Sequence, residues 1–163
     1  MRRGKLGCKT PATPPTTTDP RSRERSQIAT CQVQAPATPP TVVELYTSEG
    51  CSSCPPADRW LSSLPNNDRT LALGFHVNYW DHLGWQDRLA TPATTQRQRQ
   101  WQAALRAPYV YTPQVIVNGA DERSWSRLSA DKLPRPGNAV VPGLRVERQG
   151  NRLRAEVSAV AGG

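Results

Sequence analysis

Cys51 and Cys54, in the stretch "EGCSSCPPADRW" from Glu49 to Trp60, are the residues of this 163-residue chain whose type and spacing can do chemistry together. The attacking species in sulfur chemistry is the thiolate. A second thiol two residues beyond it is close enough to resolve the mixed disulfide that forms. The same spacing also serves as half of a zinc site or as an inert crosslink, and zinc usually takes two further Cys or His ligands. Cys8 and Cys31, the other two cysteines, stand isolated in the amino-terminal tail and read as unpaired thiols rather than ligands. His76 reads as a core histidine and His82 as a solvated one, so no metal and no cofactor is expected. A copper-handling site built from Cys51, Cys54 and His76 or His82 stays open as an alternative, because soft thiolates suit that metal.

The elements that must position the pair follow from the residues around it. "TVVELY", Thr41 to Tyr46, is a β-branched and aromatic run that suits a buried strand and leads straight into the cysteines. "ADRWLSSL" after them is a short helix candidate with Trp60, Leu61 and Leu64 on one face. Pro55 and Pro56 fit if that helix starts near Ser53, with both prolines in its first turn. Cys51 then lies in the loop before the positive helix end, which can lower a thiol pKa from about 8.5 toward 7 or below. Cys54, one turn further in, would be shielded.

"LALGFHVNYW", Leu71 to Trp80, is apolar enough for a second buried strand, with "DHLGWQD" as the loop beyond it. Thr91 can cap a second helix and Pro92 fits its first position, with Trp101, Ala104 and Leu105 as the buried face and Arg97, Arg99 and Arg106 on a solvated one. "YTPQVIVNG" then places a proline at the first residue of a strand, followed by the turn pair Asn118-Gly119. Tyr79, Trp80 and Trp85 could line a peptide groove, but large aromatics beside a strand end read first as packing.

The first forty residues hold seven of the sixteen prolines, seven threonines, and seven basic against two acidic side chains, which is five of the net charge of +8. So little apolar surface does not offset the entropy lost on ordering, and residues 1–40 are expected to be disordered. The tail has no dense Lys/Arg run and no interleaved aromatics, so a nucleic-acid partner is not expected. No stretch approaches the roughly 18 apolar residues of a membrane span. The chain as written lacks the apolar run of about 7–15 residues that a secretory signal needs. Val33-Gln34-Ala35 looks like a cleavage site, so either that match is chance or the start of the chain is misassigned.

A CxxC at a strand-to-helix junction with a Thr-Pro opening a later strand resembles the thioredoxin superfamily. "VELYTSEGCSSC" is similar to its glutaredoxin branch, and "YTPQVIVNG" resembles the cis-proline strand and turn. "VVELYTSEGCSSCPPAD", "FHVNYWDHLGW", "ATPATTQRQRQW" and "VYTPQVIVNG" together are similar to the usually exported bacterial proteins of the domain of unknown function twelve twenty-three. The resemblance is strong over about Val42 to Gly119. It implies a thioredoxin-like α/β fold with order β-CxxC-α-β-α-cisPro-β, and a cis Thr112–Pro113 peptide facing the cysteines as a substrate-docking edge. It also implies an exported location.

The chain departs from the family in two ways. Asn78 stands where an acidic residue is expected in an "HVDYWD" pattern, which puts an acid/base role there in doubt. The carboxy-terminal segment "LRVERQGNRLRAEVSAV" supplies one hairpin around Gly150-Asn151 where a longer β-rich segment is usual, and two strands alone are marginal. The domain reading is a tail over 1–40, a thioredoxin-like domain over 41–133 and a partial β-rich segment over 134–163. Its expected activity is thiol–disulfide exchange with protein or small-molecule thiols and disulfides. Cys51 is the nucleophile and Cys54 the resolving thiol, and Thr112 and Pro113 are expected to bind substrate. The competing class is a non-catalytic binding module whose cysteines form a structural disulfide.

Overall fold

A computed structural model describes residues 7–9, 30–35, 38–137 and 141–158. The chain divides into two compact units, one over Pro40–Gly137 and one formed by the two chain ends.

The larger unit is α/β, built on strand β3 (Thr41–Thr47). Helix α1 (Pro55–Ser63) carries the chain over to β4 (Thr70–His76), which pairs parallel to β3 from Thr41↔Thr70 to Thr47↔His76. A parallel pair needs such a crossover, and the helix supplies it. Helix α2 (Pro92–Ala104) follows, then β5 (Gln114–Val117), antiparallel to β3 from Val43↔Val117 to Tyr46↔Gln114, and the short β6 (Ala120–Asp121). The strand order is β4-β3-β5-β6. The β5–β6 turn is Asn118-Gly119, with φ values of 48° and 87°, the conformation that Asn and Gly tolerate best.

Strand β3 is buried except at the half-buried Val42, because both faces are covered. Val43 and Leu45 pack with Val115, Val117, Ala57 and Leu64 on the α1 side, while Tyr46 packs with Ile116, Val77 and Trp101 on the other. That alternation is the period of two expected of a strand. Glu44 lies on the same side as Tyr46 and is 4% exposed. Its carboxylate accepts from Tyr46 Oη at 2.7 Å, Trp101 Nε1 at 2.9 Å, and Arg97 Nε and Nη2 at 3.0 and 2.6 Å. Arg97 is exposed, as a solvated helix face requires, with 44% of its side chain accessible, but its guanidinium is also tied down. It neutralises a buried carboxylate and lies over the Phe75 ring at 5.1 Å.

Three local expectations are corrected. Helix α1 begins at Pro55, with Cys54 as its N-cap residue, rather than near Ser53. Prolines at the first two helical positions remove only N–H groups that have no intrahelical partner. The second strand ends at His76, not Trp80, because β4 lies at the sheet edge among the described residues and its partner β3 stops at Thr47; Val77 N–H to Thr47 O at 2.9 Å is the last rung. In α2, Thr95 and Gln98 are the buried residues while Ala104 is exposed. Gln98 can be buried because its amide donates to Tyr111 O and to Gln114 Oε1, at 2.8 and 2.9 Å. The start of α2 is as read, with Thr91 and Thr94 in a reciprocal capping box and Pro92 in the first turn.

The smaller unit is an antiparallel sheet. Its hairpin is β7 (Leu144–Gln149) and β8 (Arg152–Val157), joined at Gly150-Asn151. Two strands from the expected tail, β1 (Gly7–Lys9) and β2 (Thr30–Gln34), extend it in the order β1-β2-β7-β8. Residues 30–34 pair with β7 from Thr30↔Gln149 to Gln34↔Arg145, so the hairpin is not a lone pair of strands. Cys8 and Cys31 stand opposite each other across β1 and β2, and Cys31 is disulfide-bonded, which corrects the reading of isolated thiols. Apart from these two strands and residues 35 and 38–40, the tail reading falls outside the described residues.

Candidate functional site

Cys51 and Cys54 form a disulfide with a Cα–Cα distance of 5.4 Å at the junction of β3 and α1. Two consecutive tight turns bring the sulfurs together. Cys51 N–H donates to Ser48 O at 3.1 Å and Cys54 N–H to Cys51 O at 3.1 Å, so the turns share Cys51. Helix α1 then starts directly on Cys54, whose carbonyl accepts from Ala57 and Asp58 N–H at 2.9 and 3.1 Å. The Ser53 hydroxyl donates to Cys51 Sγ at 3.5 Å. Cys51 is 2% exposed and Cys54 0%, so the expected shielding of Cys54 holds while Cys51 is much less open than a loop before a helix suggests.

Thr112–Pro113 is a cis peptide immediately before β5. Trp80 relates it to the cysteine turn. The Trp80 indole N–H donates to Thr112 Oγ1 at 2.8 Å, and a Cβ added at Gly50 would meet Trp80 Cβ at 3.0 Å. The residue before Cys51 is thus packed against the side chain that holds Thr112. Tyr79 contributes to the same apolar cluster as Trp80, with its hydroxyl buried and without a partner; burial raises its pKa. Tyr79 and Trp80 therefore pack as expected, whereas Trp85 is 62% exposed.

The segment between β4 and α2 holds the residue that sequence reasoning missed. Asp87, 2% exposed, accepts from Glu49 N–H at 2.9 Å and from Leu89 N–H at 2.9 Å, and lies 2.6 Å from His76 Nδ1. Burial alone would raise its pKa, but the bonds from Glu49, His76 and Leu89 outweigh it and hold the carboxyl below its ordinary value. The Glu49 carboxylate in turn accepts from Trp85 Nε1 at 2.7 Å. In the sequence Asp87 is only the last residue of the "DHLGWQD" loop. Only the pairing of β4 with β3 brings Asp87 beside the cysteine turn.

His76 and His82 are not gathered with the cysteines. His76 is held by Asp87, and His82 Nδ1 lies 2.7 Å from Tyr79 O on an exposed turn. Among the described residues no group of three or more His, Cys, Asp or Glu is arranged to hold a metal. Asn78 is tied to α2: its N–H donates to Thr95 Oγ1 at 3.1 Å and its Oδ1 accepts from the same hydroxyl at 2.7 Å. No helix among the described residues is long and apolar enough to cross a membrane.

Residues 42–159 match the protein family described as "Protein of unknown function (DUF1223)". A crystal structure of a protein from Agrobacterium tumefaciens is similar at 44% sequence identity with a TM-score of 0.50. That match covers 57% of the present chain and 42% of the other, so the chain spans less than half the length of this solved relative. No curated protein matches the chain.

Proposed function

The chain belongs to the family described as "Protein of unknown function (DUF1223)", and from that premise we propose that it is a thioredoxin-like module that carries out thiol–disulfide exchange at Cys51 and Cys54. The observation that carries this reading is the Cys51–Cys54 disulfide at a strand-to-helix junction, in the same unit as a cis Thr112–Pro113 that opens β5. The strand order β4-β3-β5-β6, with β4 parallel and β5 antiparallel to β3, supports the thioredoxin-like assignment.

In the reducing direction the Cys51 thiolate attacks a substrate disulfide. One half of the substrate leaves as a thiolate and the other stays on Cys51 as a mixed disulfide. Cys54 then attacks the Cys51 sulfur, closing the protein disulfide and releasing the second half, so two electrons pass to the substrate. The reverse sequence oxidises a dithiol substrate. Protein or small-molecule thiols and disulfides are the partners of this reading. Thr112 and Pro113 form the edge on which they lie, and an exported, oxidising compartment suits the paired cysteines.

A second reading, in which the crosslink is structural and the module only binds, is favoured by the low exposure of both cysteines, 2% and 0%. Equilibration with glutathione separates the two. The exchange reading expects the disulfide to open over an accessible range of glutathione redox ratios, and Cys54→Ser to accumulate a mixed disulfide on Cys51. A disulfide that strong reductant barely opens, with a Cys54→Ser protein that traps no thiol, would leave only the binding module.

A further inference from the structure

We infer that Asp87 is a positioning residue for the cysteine pair, acting through the turn that carries Cys51; this rests on the exchange reading above. Ser48 O and Cys51 N–H close a tight turn whose two central residues are Glu49 and Gly50. Inside it, Gly50 N–H donates to Ser48 Oγ at 3.2 Å. The Glu49 N–H points out of the turn and is taken by Asp87 Oδ2 at 2.9 Å. The same oxygen lies 2.6 Å from His76 Nδ1. The other carboxylate oxygen accepts from Leu89 N–H, and Asp87 N–H donates to Asp81 Oδ1 at 3.3 Å. Asp87 is thereby fixed from both sides of its own loop before it reaches the turn. Its side chain is 0% exposed, so no water competes for these bonds.

The loop also touches this turn at two other points. Trp85 Nε1 donates to the Glu49 carboxylate, and Trp80 lies against Gly50. Backbone, side chain and packing contacts from residues 80–87 thus converge on the two residues before Cys51. Opening the disulfide frees Cys51 to move, and the Asp87 bond to Glu49 decides how far the main chain before it can follow. The hydrogen bonds of Asp87 go to Glu49, His76, Asp81 and Leu89 and not to either sulfur, so its effect on exchange passes through the turn.

The test measures the glutathione exchange equilibrium of the full chain carrying Asp87→Asn, beside the wild type and Asp121→Asn. Asp121 is a carboxylate whose side chain is bonded to Tyr111, Gln114 and Arg123 and to none of residues 48–54. Asp87→Asn is expected to shift the equilibrium constant by about fivefold, the effect of one hydrogen bond lost from one redox state only. Asp121→Asn is expected to leave it within about twofold. A purely structural Asp87 would destabilise oxidised and reduced protein alike and leave the constant where it was, and that result overturns the inference. If Asp87→Asn does not fold, amide hydrogen exchange in the wild type decides: Glu49 N–H protected in the oxidised state and more exchangeable after reduction supports positioning. Equal protection in both states overturns it. A wild type that does not exchange with glutathione at all instead removes the exchange reading, a failure distinct from either of these.

Discussion

The Trp80 indole donates to the Thr112 hydroxyl at 2.8 Å while the Cβ of the same tryptophan sits 3.0 Å from where a side chain at Gly50 would begin. One side chain therefore joins the approach to the cysteines and the residue that opens the cis peptide. Trp80→Phe keeps an aromatic ring in the cluster with Tyr46 and Val77 but removes the only N–H of that side chain. The expected cost is about 1 kcal/mol for the lost hydrogen bond, plus a smaller packing loss. Urea melts of the oxidised protein measure it. An unchanged midpoint would show that the bond contributes nothing net.

Gly50→Ala tests the other end of the same relationship. Its Cβ meets a backbone-anchored Cβ atom rather than a flexible side-chain tip, so either Trp80 or the Ser48–Cys51 turn must shift. A loss of about 1–3 kcal/mol is expected, as for overpacking in a filled interior. The rate at which limiting iodoacetamide labels Cys51 in the reduced protein should change with it. Full stability with unaltered labelling would mean that the site has slack.

Much of this arrangement is legible in the chain itself, and the limits have physical causes. The run Thr41–Tyr46, the capping Thr91-Pro92 and the Asn118-Gly119 turn are local signals, set by period, caps and turn chemistry, and they appear where expected. Asp87 does not announce itself, because its role depends on β4 lying alongside β3 and has no local signature. The pairing of the exposed Arg97 with Glu44 has no local signature for the same reason, since the two are 53 residues apart. The strand from Thr30 to Gln34 is polar enough to look like tail, yet its partner is the carboxy-terminal hairpin, more than a hundred residues on.

The Glu44 network gives a pH dependence whose sign can be worked out. Burial alone would raise the Glu44 pKa, but bonds from Arg97, Tyr46 and Trp101 outweigh it and hold it below its ordinary 4.5. A depressed folded pKa means that the unfolded chain binds the proton first. The stability this contributes is fully present above about pH 5 and is lost as pH falls through the folded value. Glu44→Gln cannot lose that contribution with acid. Its deficit relative to wild type, about 1–3 kcal/mol at pH 7 for a weakened buried bond set, should therefore shrink as pH falls toward 3. Denaturant melts at the two pH values check it, and a deficit independent of pH would contradict the network.

The Thr112–Pro113 edge that opens β5 yields the prediction closest to function. On the exchange reading, a mixed disulfide between Cys51 and a partner forms only if the partner's chain can lie beside the turn while its sulfur reaches Cys51. Pro113→Ala removes the residue that opens β5 while leaving Cys51, Cys54 and the Trp80–Thr112 bond in the sequence. Placed in a Cys54→Ser background, it should trap a peptide disulfide about tenfold more slowly than Cys54→Ser alone, whereas glutathione, which needs little docking, should be trapped within about threefold of the same rate. Near-equal losses for both substrates would mean that the proline acts on the cysteine turn and not on docking. No loss for either would detach Thr112 and Pro113 from the site altogether, leaving the disulfide and its Asp87-anchored turn as the whole of the exchange apparatus.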